Sequence, residues 1–113
     1  MKNFRLFLAV AIISLVMVCC HSVSLLPTQV DVPLAQAHWQ NTTLDELTKG
    51  YNIYASKCTQ CHDMKNPKDF SVDDWNDNYM PSMGKKAQLN DTEYQLVLHY
   101  ILAKREELVS AKK

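Results

Sequence analysis

The residues Cys58-Thr59-Gln60-Cys61-His62 are the part of this 113-residue chain whose types and spacing carry a definite chemistry. Two thiols three positions apart at a helix end can each form a thioether with one of two vinyl groups on the same porphyrin edge. The next residue then lies under the macrocycle and offers its imidazole to the iron. Other chemistries use a Cys-x-x-Cys pair. A dithiol redox motif needs a βαβ context, and no strand pattern is visible. A structural zinc site needs four ligands, and the other His and Cys residues supply no second spaced pair. The expected cofactor is one covalently attached haem, haem c, with thioethers at Cys58 and Cys61 and His62 as the proximal iron ligand.

The elements that must position these residues are helical. Thr43 with Glu46 three residues on, Ser71 with Asp74, and Asn90 with Glu93 are capping signals, in which a side-chain oxygen satisfies an orphan backbone N–H. The first helix carries Leu47, Gly50, Tyr51 and Tyr54 on one face. The second is short, carries Trp75 and is expected to be limited by Pro81. The third has Leu96, Val97, Tyr100 and Ile101 at helical spacing. Strand signals are absent. The expected fold is all-α, a small domain of about three helices over residues 43–110. Hydrophobic burial at this size yields only about 3–5 kcal/mol, so a staple or cofactor is expected to complete the core.

Upstream of the domain, Leu6 to Val18 is an apolar run of 13 residues behind Lys2 and Arg5. It is shorter than the roughly 20 residues of a membrane-spanning helix and has the organisation of a secretory signal. Cys19 and Cys20 end it. A cysteine there resembles the lipobox of bacterial lipoproteins, with Cys20 the better acceptor because the preceding Cys19 is small. The expected organisation is a signal peptide over 1–20, a flexible tether over 21–42 and the helical domain. That makes the protein exported and periplasmic, anchored to the membrane by a lipidated Cys20. In the tether, Pro27 and Pro33 interrupt any sustained period. Net charge is zero and pI near 6.9, which argues against nucleic-acid binding. Acids cluster between Asp63 and Asp77, whereas Lys85, Lys86, Lys104 and Arg105 enrich the last third in positive charge. Both read as solvated surface.

Lys49-Gly50-x-x-Ile53-Tyr54-x-x-Lys57-Cys58-x-Gln60-Cys61-His62 resembles the N-terminal helix of class I cytochromes c. Leu96-Val97-x-x-Tyr100-Ile101 resembles their C-terminal helix. The resemblance covers residues 43–108, strongly at both ends and weakly between, and is closer to small bacterial exported monohaem cytochromes than to the mitochondrial protein. It implies that Gly50 lets the two helices cross at close range against the aromatic Tyr100. It also implies a distal iron ligand from the opposite haem face. Met1 and Met17 belong to the signal and Met64 is too near His62, which leaves Met80 and Met83. Met80-Pro81 resembles a Met-Pro ligand dipeptide of some bacterial cytochromes. Met83, between Pro81 and Gly84, fits the family spacing to the last helix better and is the favoured ligand. Pro67 resembles the proline whose carbonyl receives the ring N–H of the proximal histidine, with a plain loop breaker as the alternative. Trp75 donates its indole N–H to a haem propionate or simply packs. His38 and His99 read as surface or packing residues.

A haem iron held by histidine and methionine has no vacant position, so these residues point to one-electron transfer rather than catalysis. The expected partners are redox proteins of a respiratory chain. The alternative is a haem enzyme or ligand-binding sensor with an open sixth position, which carbon monoxide binding by the reduced protein would separate from the carrier.

Overall fold

A computed structural model describes residues 24–112; the signal run, Cys19 and Cys20 lie outside them. Among the described residues there are four α-helices: α1 (Asp31–Gln36), α2 (Leu44–Lys57), α3 (Met80–Lys86) and α4 (Asp91–Ser110). Short 3₁₀ turns occupy Cys58–Gln60 and Pro67–Asp69, and a π-helical segment, Asp74–Tyr79, leads into α3. There is no strand among the described residues, and none of the described helices is long and apolar enough to cross a membrane. The fold is all-α, as the capping signals required.

Those caps form as expected. Thr43 Oγ1 accepts from the Glu46 N–H at 3.2 Å while the Glu46 carboxylate accepts from the Thr43 N–H at 2.9 Å. Asn90 and Glu93 make the same reciprocal pair at 2.9 and 3.1 Å. Ser71 Oγ accepts from the Asp74 N–H at 3.0 Å. Each box satisfies donors that the first helical turn would otherwise leave open.

The core lies where α2 crosses α4. Leu47, Gly50 and Tyr54 are buried on α2, as are Val97, Tyr100 and Ile101 on α4. Gly50 is the point of closest approach. A Cβ there would run into the Leu96 backbone carbonyl and come within 2.9 Å of Tyr100 Cβ. The close crossing implied by the family resemblance is thus present. Around it Tyr51 meets Tyr100 edge-on at 5.5 Å and Tyr54 lies 5.9 Å from Tyr100.

Two expectations are corrected. Pro81 does not end the second helix; the chain stays helical from the π-helical segment through α3, with Pro81 in the first turn of α3. The Met80 N–H bonds to the Trp75 carbonyl five residues back. A proline needs no N–H acceptor and its ring clashes with the carbonyl four residues back, so a widened turn just before it accommodates both demands.

The flexible tether is also corrected, from Leu25 onward. The Tyr100 hydroxyl donates to the Leu25 carbonyl at 2.7 Å, and α1 packs on α4. Asp31 and Lys104, 1% and 2% exposed, form an ion pair of 2.8 Å. Asp31 Oδ2 also accepts from the Thr28 N–H at 2.6 Å, while Oδ1 is buried without a partner. Ala35 packs with Leu47 and Ala103, and Trp39 stacks on His99 at 3.8 Å. Pro33 falls within the first turn of α1, where its missing N–H has no intrahelical acceptor to lose. Lys104 is therefore not surface charge. Nor is Arg105 freely solvated, since it is half-buried and its Nε donates to the Phe70 carbonyl at 2.7 Å.

Gly50→Ala should destabilise the domain. The helix propensity gain is about 1 kcal/mol, whereas forced overpacking costs about 1–3 kcal/mol, and here the obstacle is backbone. Denaturant midpoints of the two proteins check this; an unchanged or raised midpoint would refute the close crossing.

Candidate functional site

α2 delivers the thiols. Cys58 caps its C-terminal end and opens the 3₁₀ turn that carries the chain through Gln60 to Cys61. Thr59 Oγ1 donates to the Ala55 carbonyl at 2.5 Å, fixing the turn onto the last coil of α2. Both cysteines are free thiols, Cys58 buried and Cys61 exposed. Burial pushes the Cys58 thiol up, so it keeps its proton at neutral pH. That is opposite to the lowered thiol of a dithiol redox motif. His62 Nδ1 lies 2.7 Å from the Asp63 carbonyl oxygen. A carbonyl only accepts, so in the neutral ring Nδ1 is the donor and the Nε2 lone pair is left for a metal.

Cys58, Cys61 and His62 line a cleft of about 140 Å³ together with Met83, and Lys57, Gln60, Lys86 and Ala87 complete it. The two methionines on α3 take different positions. Met83 is half-buried and faces the cleft, whereas Met80 is 1% exposed in the core with Trp75 and Tyr54. Met64 packs on the edge of the same core.

The loop after His62 is held by side chains of three different elements. The Tyr54 hydroxyl donates to the Lys65 carbonyl at 2.7 Å, Trp75 Nε1 to the Pro67 carbonyl at 2.8 Å, and Arg105 to Phe70. Asn66 caps the Pro67–Asp69 turn through the Lys68 N–H at 3.2 Å. Of the two readings left open for each of Pro67 and Trp75, the structure shows a packed indole and a proline in the loop turn. The Pro67 carbonyl takes the indole N–H rather than the His62 ring, and the indole points to this carbonyl rather than toward a propionate. The physical reason is burial: Trp75 is 0% exposed, and an indole N–H there requires an acceptor inside the protein. Desolvation raises the Tyr54 hydroxyl well above its ordinary range, so it stays a protonated donor.

Three features had no weight in the sequence reading. Gly84 sits flush on α4: a Cβ there would meet Tyr94 Cδ2 at 2.8 Å. This contact seats α3 on α4 one residue after Met83. The same helix ends with Gln88 at φ 55°, its N–H bonding to the Lys85 carbonyl and that of Leu89 to Gly84. That is a Schellman closure, built on glutamine where glycine is usual. Finally, Lys57 Nζ lies 2.8 and 2.9 Å from the two Glu93 oxygens, tying the site end of α2 to the start of α4. A Met-Gly pair and a lysine preceding the first thiol were the available signals. Their partners, Tyr94 and Glu93, lie ten and 36 residues away.

The donor set suits a covalently held haem. Two thiols and an imidazole with a free Nε2 come from one turn, and a thioether from another helix bounds the same cleft. Among the described residues no three His, Cys, Asp or Glu side chains converge as they would on a bare ion. The cleft is smaller than usual ligand pockets of about 300–1,000 Å³, and the long side chains of Gln60 and Lys86 are among those that line it. Comparison of the chain with protein-family models, with curated proteins and with solved structures finds no match.

The Lys57–Glu93 link predicts a pH dependence. Hydrogen bonding to Lys57, then to the Asn90 backbone, lowers the Glu93 carboxyl below its ordinary 4.5. A lowered folded-state value stabilises above the unfolded value and is lost as pH falls through the folded one. Glu93→Gln should therefore be less stable than the parent at neutral pH. The stability gap between the two proteins should close as pH falls below the ordinary carboxylate range, where Glu93 takes up its proton; a gap independent of pH would show the carboxylate charge to be irrelevant.

Proposed function

We propose that this chain is a small exported c-type cytochrome, a one-electron carrier with haem c bound covalently through Cys58 and Cys61. His62 is the proximal ligand and Met83 the distal ligand. The observation that carries the reading is that these four side chains, from two separate elements, line one cleft, while Met80 is turned into the core. When bound there, the haem supplies one iron that cycles between the ferrous and ferric states.

The chain's own residues do the rest. Cys58 and Cys61 hold the macrocycle edge through bonds that survive oxidation and reduction. His62 presents Nε2 because its other ring nitrogen is engaged by Asp63. Met83 supplies a soft neutral thioether, which favours the reduced metal and raises the potential. Tyr54, Trp75 and Arg105 hold the loop that follows His62 against the core, so the ligands stay in place as the charge on the iron changes. A carrier needs that rigidity, because little rearrangement accompanies each transfer. The signal run and Cys20 support an exported, periplasmic protein anchored to the membrane through lipid. Its partners are then redox proteins of a respiratory chain.

Protein matured in a host competent for haem attachment should retain its haem through acid–acetone extraction. Haem in the organic phase would refute covalent attachment.

The ligand assignment has its own test. Oxidised protein should show the weak near-infrared band of an iron–thioether bond. Met83→Ala should abolish that band, lower the potential and let the reduced protein bind carbon monoxide. Met80→Ala should keep the band but cost about 2–5 kcal/mol of stability as a truncation in the core. The opposite pattern would assign Met80. Ready carbon monoxide binding by the parent protein would replace the carrier with an open-site enzyme or sensor.

A further inference from the structure

The segment from Leu25 to Thr42, which looks like a spacer in the sequence, is part of the folded domain. Its attachment is buried at several points. The Leu25 carbonyl accepts from Tyr100, Asp31 pairs with Lys104, Ala35 packs against Leu47 and Ala103, and Trp39 stacks on His99. Thr42, 4% exposed, donates its hydroxyl to the Trp39 carbonyl at 2.8 Å, and Gln36 Nε2 donates to the Thr42 carbonyl at 2.9 Å. Lifting the strap would break these hydrogen bonds and expose the Ala35 and Trp39 contacts together, so it does not detach without cost to the domain.

This changes the reach of an anchored protein. Four residues, His21 to Ser24, separate Cys20 from Leu25. Fully extended, the five steps from Cys20 to Leu25 span at most about 18 Å, whereas a free chain from Cys20 to Thr43 would span about 80 Å. The start of the strap is also close to the candidate site. Leu25 is bonded to Tyr100, whose ring lies 5.9 Å from that of Tyr54, and Tyr54 is one helical turn before Cys58.

Resting on the lipid anchor of the proposed function, we infer that strap docking reduces the tether to residues 21–24. It holds the haem domain against the membrane surface, so redox partners must meet it there. A soluble acceptor far from the bilayer lies outside the range of the anchored domain.

The full-length, haem-loaded protein, purified from bacterial membranes, should be placed on a supported phosphatidylcholine bilayer and the gap between headgroups and protein layer measured by neutron reflectometry. A variant with about twenty Gly/Ser residues inserted between Ser22 and Val23 leaves the strap intact and adds a mean length of about 25 Å. The parent should show a gap no wider than about 18 Å, and the insertion should widen it. Hydrogen exchange on the same protein should find the amides of Asp31, Trp39 and Thr42 protected, as their bonds to Thr28, Ala35 and Trp39 require. A parent gap well beyond about 18 Å, or fast exchange at those amides, would overturn the strap while leaving the lipid anchor standing. A mature protein without acyl mass on Cys20 would overturn the inference together with the anchor, and leave the carrier reading intact.

Discussion

The close approach of α2 and α4 at Gly50 is the contact on which the other parts of the molecule depend. Because no side chain separates α2 from the Leu96 carbonyl, the helices meet backbone to backbone. The aromatic residues on either side then interlock instead of competing for the same space. Tyr54 and Tyr100 lie buried next to the crossing, and each uses its hydroxyl to hold a distant piece of backbone, Lys65 in one case and Leu25 in the other. One crossing thus fixes both the loop beyond the candidate site and the strap that packs on α2 and α4. It also sets where the last turn of α2, and with it Cys58, ends up.

A small core explains why so many polar side chains are engaged by backbone carbonyls. In a domain this size there is little apolar area to hold irregular segments, and loop backbone next to the core must still find partners. Trp75, Arg105, Tyr54 and Thr42 meet that need by donating inward. The cost is that each is committed. The Trp75 indole N–H is committed to the Pro67 carbonyl, so it packs within the core. The ion pair of Asp31 and Lys104 is more ambiguous energetically, because desolvation of both charges opposes their attraction. Its effect is better described as specifying where α1 sits than as a large stabilisation.

Much of the helical framework was legible locally. Caps at Thr43, Ser71 and Asn90 act over three residues, so their partners are adjacent in the chain and their geometry follows from residue type. Gly50 with Tyr54, and the apolar spacing through Val97, Tyr100 and Ile101, likewise announced which faces pack. The Cys-x-x-Cys-His turn is of the same kind. Its spacing alone determines that two thiols and an imidazole emerge together from a helix end.

Tertiary structure decided the features whose partners lie far along the chain. α1 is six residues long and begins with a charge and an early proline; isolated, it lacks the length to be stable. It forms because Lys104, 73 residues away, supplies the countercharge and α4 supplies a surface. Helical period alone could not show that Pro81 would be carried through by a widened turn, or that Gly84 would seat α3 on the Tyr94 ring. Those two contacts orient α3, and so decide that Met83 faces the cleft and Met80 the core. Sequence by itself determined which residues have the chemistry. Only the fold decided which of two methionines stands beside them, because that depends on packing between elements rather than on any interaction within a turn.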